Sequence, residues 1–166
     1  MVDDGDFSAY VVARWPGLVR TLVLLGCTFA QAELVATDAL VRCQRSWASD
    51  RDADDIDAHV HQVMMERLGK LRRRGRLADV PDVPEPPLLL DPTAADPNQR
   101  AAMRRALDEA LAELPDQERV VLVLRFVAEL RDDQVAEVLD LDRDEVLRRL
   151  DSGLRRVDLA VVQEAR

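Results

Sequence analysis

Apolar residues recur every three or four positions along most of the chain, which is the period of one face of an α-helix. In the first half, this pattern predicts helices over residues 7–15, 18–25, 29–47 and 56–74. In the second half, it predicts helices over residues 99–114 and 115–130, followed by two more that end near residue 157. Valine-rich runs lack turn residues and keep the helical period, so the sequence predicts an all-α protein.

Capping residues support these boundaries. Thr28 with Gln31 has the spacing of a capping box, and Asp55 can cap the helix that follows a charged loop. Pro16 should end or kink the first helix, or begin the next one. These predicted boundaries therefore rest on capping residues or proline as well as on a break in the apolar pattern.

Prolines divide the chain into two helical domains. Residues 77–98 contain six of the eight prolines, a density at which regular structure is not expected. We therefore predict a first domain over 1–76, a semi-rigid linker over 77–98 and a second domain over 99–166. The apolar triplet at 88–90 either docks on a domain or anchors a partner.

The second domain contains the pattern of a helix-turn-helix. A short helix, a tight turn at residues 139–141 and a second helix follow one another after Leu130. Asp142 and Glu145 have capping-box spacing at the start of the second helix. Its inward residues are predicted to be Val146, Leu150, Leu154 and Val157.

The charge pattern complicates a role in DNA binding. The net charge is −9, and residues 132–151 contain eight acidic residues against three arginines. Phosphates are bound by cations, so nucleic acid would have to contact a local basic patch. One such patch is the basic run, comprising Arg67, Lys70, Arg72, Arg73, Arg74 and Arg76. The helix dipole alone could explain cations at a helix end, but their number favours contact with phosphates.

Other sequence features exclude several classes of function. No apolar run is long enough to cross a bilayer, and the acidic start lacks a secretory signal, so a cytoplasmic protein is expected. Cys27 and Cys43 are predicted to be buried thiols, and His59 and His61 fall on different helix faces. We therefore predict no metal, no cofactor and no catalytic activity.

The chain resembles the extracytoplasmic-function sigma factors, which are two-domain subunits of bacterial RNA polymerase. The resemblance rests on FSAYVVARWPGLVRTLVLLGC, ALVRCQRSW, DADDIDAHV and LAELPDQERVVLVLRFVAEL followed by QVAEVLDL. It implies that the first domain binds core polymerase and the melted downstream promoter element. It also implies that the second domain places its recognition helix, residues 143–152, in the major groove of the upstream element.

The resemblance assigns two sets of candidate residues. Those expected to bind polymerase are Leu34, Val35, Thr37, Asp38 and Val41. Those expected to bind DNA are the basic run together with Arg143, Arg148 and Arg149. On the pattern alone, Leu34 and Val41 could equally be scattered surface residues.

Several positions depart from the family pattern. The polymerase-binding motif reads LVAT from residue 34, Glu66 replaces a common asparagine, and Asp140 replaces the glycine of the turn. The recognition helix begins DEVL from residue 144, and its acids are spaced to pair with its own arginines: Asp144 with Arg148, Glu145 with Arg149, and Asp151 with Arg155.

These departures leave a second hypothesis open. It describes a degenerate sigma-like protein that keeps the fold and binds a protein partner but has lost binding to the upstream element. An anti-sigma factor or another regulatory protein is a candidate partner under either hypothesis. If the two domains pack together, the acidic second domain could also cover the basic run.

Overall fold

The computed structural model describes residues 4–47, 53–81 and 97–164. The helices in these ranges are α1 (Asp4–Leu24), α2 (Phe29–Arg45), α3 (Ala53–Arg73), α4 (Pro97–Ala112), α5 (Asp116–Leu122), α6 (Asp132–Leu139) and α7 (Arg143–Glu164). A π-helical turn (Val123–Val127) continues α5. The described ranges contain no strand, which confirms the all-α prediction.

The predicted division into two helices at Pro16 is wrong, because α1 runs through this residue without ending. A proline inside a helix leaves the carbonyl four residues earlier without its usual N–H partner. Here that residue is Val12, and both Val12 and Pro16 are exposed. Water can therefore hydrate the carbonyl, which makes the proline tolerable at this position.

The remaining helix boundaries of the first half are close to prediction. The Thr28–Gln31 capping box is present at the start of α2 and is confirmed. Helix α3 begins at Ala53, so the predicted cap at Asp55 falls inside the helix. Trp47 follows α2 and packs against Phe7 at a ring-centroid distance of 4.9 Å, which joins the end of α2 to the start of α1.

A buried polar cluster fixes α1 against α3. Asp57 accepts hydrogen bonds from the Tyr10 hydroxyl at 2.7 Å and from Arg14 at 2.5 Å. His61 Nδ1 lies 2.7 Å from the Asp57 carbonyl oxygen, which can only accept, so Nδ1 carries the proton. Burial lowers the pKa of His61 and raises that of Tyr10, so both groups stay neutral.

Part of the predicted linker belongs to the first half. Leu77 is buried, and its carbonyl oxygen accepts a hydrogen bond from the Gln31 side chain at 2.7 Å. Residues 82–96, including the triplet at 88–90, lie outside the described residues, and α4 begins at Pro97. The division into 1–76, 77–98 and 99–166 stays a prediction.

The core of the protein is aliphatic and continuous across both halves. It includes Leu22, Val35 and Met64 from the first half, and Val121 and Val135 from the second, each with no exposed surface. Cys27 and Cys43 are buried free thiols, as the sequence predicts. The two halves therefore pack together.

Candidate functional site

A groove lies along the outer face of α2 where the resemblance expects polymerase to bind. Leu34 and Val41 are each 45% exposed, one on either side of Thr37 and Asp38. The groove has a volume of roughly 510 Å³. Its lining residues, here called the α2 groove, are Leu34, Thr37, Asp38, Val41, Arg67, Leu71, Arg76 and Asp79.

Exposed leucine and valine in a groove bordered by charged residues are typical of a protein-binding surface. Helical spacing explains why the two apolar side chains share one face, since they are seven residues apart. Four of the five predicted polymerase-binding residues line the α2 groove. This face of α2 therefore combines exposed apolar side chains with charged residues at its edges.

Val35 does not belong to the predicted polymerase-binding surface. Its side chain is completely buried within the core. Residue 35 is one position from Leu34, which is about 100° around the helix, so the two side chains cannot face the same partner. Val35 therefore supports the groove from beneath.

The basic run has two kinds of arginine. Arg67 forms an ion pair with Asp38 on α2, and its side chain is only 20% exposed. Arg72 donates a hydrogen bond of 2.6 Å to the carbonyl of Leu25, just beyond the end of α1. Both guanidinium groups therefore have structural partners, which the sequence analysis missed because those partners are distant along the chain.

The other cations of the basic run are exposed to solvent: Lys70, Arg73, Arg74 and Arg76. They are close together at and just beyond the C-terminal end of α3, where the helix dipole also favours positive charge. A patch of this kind can bind phosphates without recognising a sequence. Arg76 also lines the α2 groove, so the two candidate surfaces adjoin.

The second half contains the predicted helix-turn-helix, formed by α6 and α7. Asp140 ends α6 in a left-handed conformation, with a φ of 52°, and the Leu141 N–H donates to the Ala136 carbonyl at 2.9 Å. Aspartate adopts this conformation more readily than most residues, which explains how the turn forms without glycine.

The outer face of α7 is largely self-paired. Glu145 contacts Arg149 and Arg148 at 2.6 Å each, and Asp151 contacts Arg155 at 2.8 Å. The hydrogen bond from Arg149 lowers the pKa of Glu145, with a further contribution from the charge of Arg148. The acids of α7 therefore reduce the positive charge that its arginines can offer to DNA.

Two details of α7 differ from the predictions. Arg148 pairs with Glu145 rather than with the Asp144 carboxylate, and it donates only a long 3.4 Å bond to the Asp144 backbone. Leu154 was predicted to face inward but is 42% exposed, like Leu147 at 41%. These two leucines are seven residues apart and lie on the same outer face.

Glu118 and Arg119, in the PDQER segment at residues 115–119, have structural roles that the sequence pattern does not indicate. Glu118 accepts a hydrogen bond from Ser152 at 2.7 Å and pairs with Arg156 at 3.0 Å, joining α5 to α7. Arg119 donates to the carbonyls of Leu111, Ala112 and Leu114 at 2.8–2.9 Å. Arg119 thereby caps the C-terminal end of α4.

Comparison with known proteins agrees with this geometry. The Sigma-70, region 4 family matches residues 104–157, which include the helix-turn-helix. An RNA polymerase sigma-E factor from Streptomyces coelicolor is 27% identical over 154 residues, covering 92% of this chain and 84% of the relative. The corresponding factor from Streptomyces avermitilis is 27% identical over 152 residues, covering 92% and 83%.

The chain is thus similar to RNA polymerase sigma factors along most of its length, and its residues 104–157 match the Sigma-70, region 4 family. Two solved structures share its fold at a TM-score of 0.68 each. One is the sigma factor RpoE with the anti-sigma factor NepR from Bartonella quintana, 17% identical and covering 94% of this chain and 96% of that one. The other is CnrH with the cytosolic domain of CnrY, 16% identical and covering 97% and 90%.

Both relatives are named RNA polymerase sigma-E factor, which agrees with the family that the sequence resembles. Within the described residues, no group of histidine, cysteine and acidic side chains could hold a metal ion. In the same ranges, none of the helices is long and apolar enough to span a membrane.

Proposed function

We propose that this protein is a sigma factor that binds core RNA polymerase through the α2 groove and contacts promoter DNA through the exposed cations at the end of α3. The exposure of Leu34 and Val41 in the groove is the observation that carries the first part. The second part rests on the exposed Lys70, Arg73 and Arg74. Because the two surfaces adjoin, polymerase and DNA could be bound side by side.

We expect the protein to bind polymerase and DNA but to leave catalysis to the polymerase, and the side chains of the candidate surfaces support this. On the candidate surfaces, Asp38 is paired with Arg67, and Glu145 is paired with Arg148 and Arg149. We therefore expect nucleotide addition to be carried out by the polymerase. We also propose that the protein acts in the cytoplasm, where its polymerase and promoter partners would be. An anti-sigma factor is a further expected partner, since one fold neighbour is a sigma factor in complex with an anti-sigma factor.

We expect helix α7 to contact the upstream element with less electrostatic attraction than the basic run provides at the downstream element. Of its predicted DNA-binding arginines, Arg148 and Arg149 are paired with Glu145, whereas Arg143 is exposed. The affinity of α7 for DNA should therefore depend less on salt concentration than that of the basic run, because fewer counterions are released when cations that are already paired bind phosphates.

Replacing Lys70, Arg73 and Arg74 together by alanine is expected to weaken binding to single-stranded DNA. Each lost phosphate contact makes the fall of log affinity with log salt concentration less steep by about 0.7. The slope of the triple variant should therefore be smaller in magnitude by roughly 2. Fluorescence anisotropy of a labelled oligonucleotide at several salt concentrations measures this slope. Arg72 is left unchanged because it stabilises the end of α1.

A matched control removes the same number of charges from α7, at Arg143, Arg148 and Arg155. Because two of these arginines are paired with acids, the control should change the slope less. Equal slopes for the two triple variants would contradict the assignment of phosphate binding to the end of α3.

A further inference from the structure

Two arginines from distant parts of the chain border the same exposed glycine. Gly26 lies in the turn between α1 and α2 and has a φ of 93°, a conformation in which other residues are strained. A Cβ atom built on this glycine would lie 3.8 Å from Arg72 Nη2 and 3.9 Å from Arg119 Nη1. Because both nitrogens are within 4 Å of one point, they are less than about 8 Å apart.

Neutral backbone groups hold both guanidinium groups in place. Arg72 Nη2 donates a hydrogen bond of 2.6 Å to the Leu25 carbonyl, and Arg119 donates through Nε and Nη2 to three carbonyls at the end of α4. A carbonyl fixes the position of a guanidinium group but does not neutralise its charge. Arg20, by contrast, is neutralised by the Asp108 carboxylate at 2.8 Å.

The other groups near the two arginines compensate little of this charge. Burial raises the pKa of the Cys27 thiol, although the charge of Arg72 opposes the effect, so the thiol stays protonated and neutral. Asp116 is 3.5 Å from Arg119 Nη1, but its side chain is 91% exposed, and a long ion pair in water is weak. Two positive charges therefore remain close together.

The space beside the two arginines is open to solvent. Gly26 and Arg72 are both exposed, and the turn has no side chain that could fill the space. Arg119 is only 17% exposed, but its Nη1 points toward this turn while Nε and Nη2 are bonded to carbonyls. An anion could therefore approach both guanidinium groups without displacing their backbone hydrogen bonds.

We propose that Gly26, Arg72 and Arg119 form a site, here called the Gly26 site, that binds the phosphate group of a small phosphate monoester. Such a group has a charge of about −1.5 to −2 at pH 7, which matches two guanidinium groups, and its oxygens suit their paired N–H donors. A phosphodiester of DNA has a single negative charge and matches the site less well. This inference does not rest on the proposed function, because binding of a small ligand needs neither polymerase nor promoter.

Calorimetric titration of the full chain with inorganic phosphate, at constant ionic strength in chloride buffer, tests the site. We expect saturable binding to one site. Dimethyl phosphate, which has the single charge of the DNA backbone, should bind at least about tenfold more weakly. The absence of saturable phosphate binding would overturn the site. Equal affinities for the two probes would overturn the preference for a monoester and point to a DNA phosphate.

Arg72→Gln should weaken phosphate binding at least about tenfold, because it removes a charged hydrogen-bond donor. The matched control is Arg73→Gln, which loses the same charge at the next residue of α3, where the side chain is also exposed. The control should bind phosphate with an affinity within about twofold of that of the unmodified chain. Equal losses in the two variants would show a general effect of charge and overturn the assignment.

NMR titration of the unmodified chain locates the phosphate without any substitution. The amide signal of Gly26 and the Nε–H signal of Arg119 should shift together, with the half-saturation found by calorimetry. Gly75 provides an internal comparison, since it lies among the exposed cations of the basic run. Shifts that are larger at Gly75 than at Gly26 would place the phosphate on the basic run and overturn the Gly26 site.

Discussion

Replacing both Leu34 and Val41 by aspartate is expected to lower the affinity for core polymerase by at least about 30-fold. Apolar side chains at the centre of a protein interface contribute about 2 kcal/mol or more when they are buried by a partner, and charges placed there also have to be desolvated. Both residues are 45% exposed in the free protein, so the substitutions should not disturb the core. Titration of labelled variant with core polymerase measures the effect.

Val12→Asp is the control for this prediction. Val12 lies on α1, is 79% exposed and does not line the α2 groove. The Val12→Asp variant should bind polymerase with an affinity within about twofold of that of the unmodified chain. The urea midpoints of all variants should stay close to that of the unmodified chain. A double variant that is folded and binds as tightly as the Val12 variant would show that polymerase binds elsewhere.

Arg119→Met is expected to destabilise the protein by about 2–4 kcal/mol. Its guanidinium group satisfies three carbonyls at and just beyond the end of α4, and its side chain is only 17% exposed. Methionine keeps much of the side-chain volume but removes the donor from these three carbonyls, two of whose hydrogen bonds are partly buried, which is one of the larger penalties for a single substitution. Urea unfolding followed by circular dichroism measures the loss.

Arg143→Met provides the comparison. Arg143 is exposed at the first residue of α7, where the helix dipole does not favour a cation, so its loss should not lower stability. If the Arg119 and Arg143 variants unfold at the same urea concentration, the carbonyls capped by Arg119 are satisfied in another way.

The helices could be predicted from the sequence because their information is local. The Thr28–Gln31 capping box and the turn at Asp140 each depend on residues within a few positions of one another. The misplaced break at Pro16 shows the limit of this reasoning. Whether a proline interrupts a helix depends on whether water can reach the freed carbonyl, which is a property of the folded surface.

The candidate sites were less predictable because exposure and pairing are set by distant residues. The position of Arg72 in a cationic run indicates phosphate binding, but its partner is a carbonyl 47 residues away. Arg67 is likewise paired with Asp38, on another helix. Helical period alone, however, could have separated the buried Val35 from the exposed Leu34.

The packing of the two halves could not be derived from charge. The balance of zero in residues 1–78 and −9 in residues 79–166 suggested that acids would meet the basic run. The two halves instead share one apolar core, and an ion pair between Arg20 on α1 and Asp108 on α4 also joins them. Hydrophobic burial contributes more to such an interface than long-range attraction between charges screened by salt.

Promoter-specific initiation is the central property proposed for this protein, and reconstituted transcription measures it most directly. Core polymerase is incubated with a promoter library, with or without the purified chain, and the transcripts are sequenced. The chain should produce transcripts from a defined set of start sites, and the Leu34→Asp/Val41→Asp variant should not. A folded chain that yields no start sites beyond those of core polymerase alone would contradict the account.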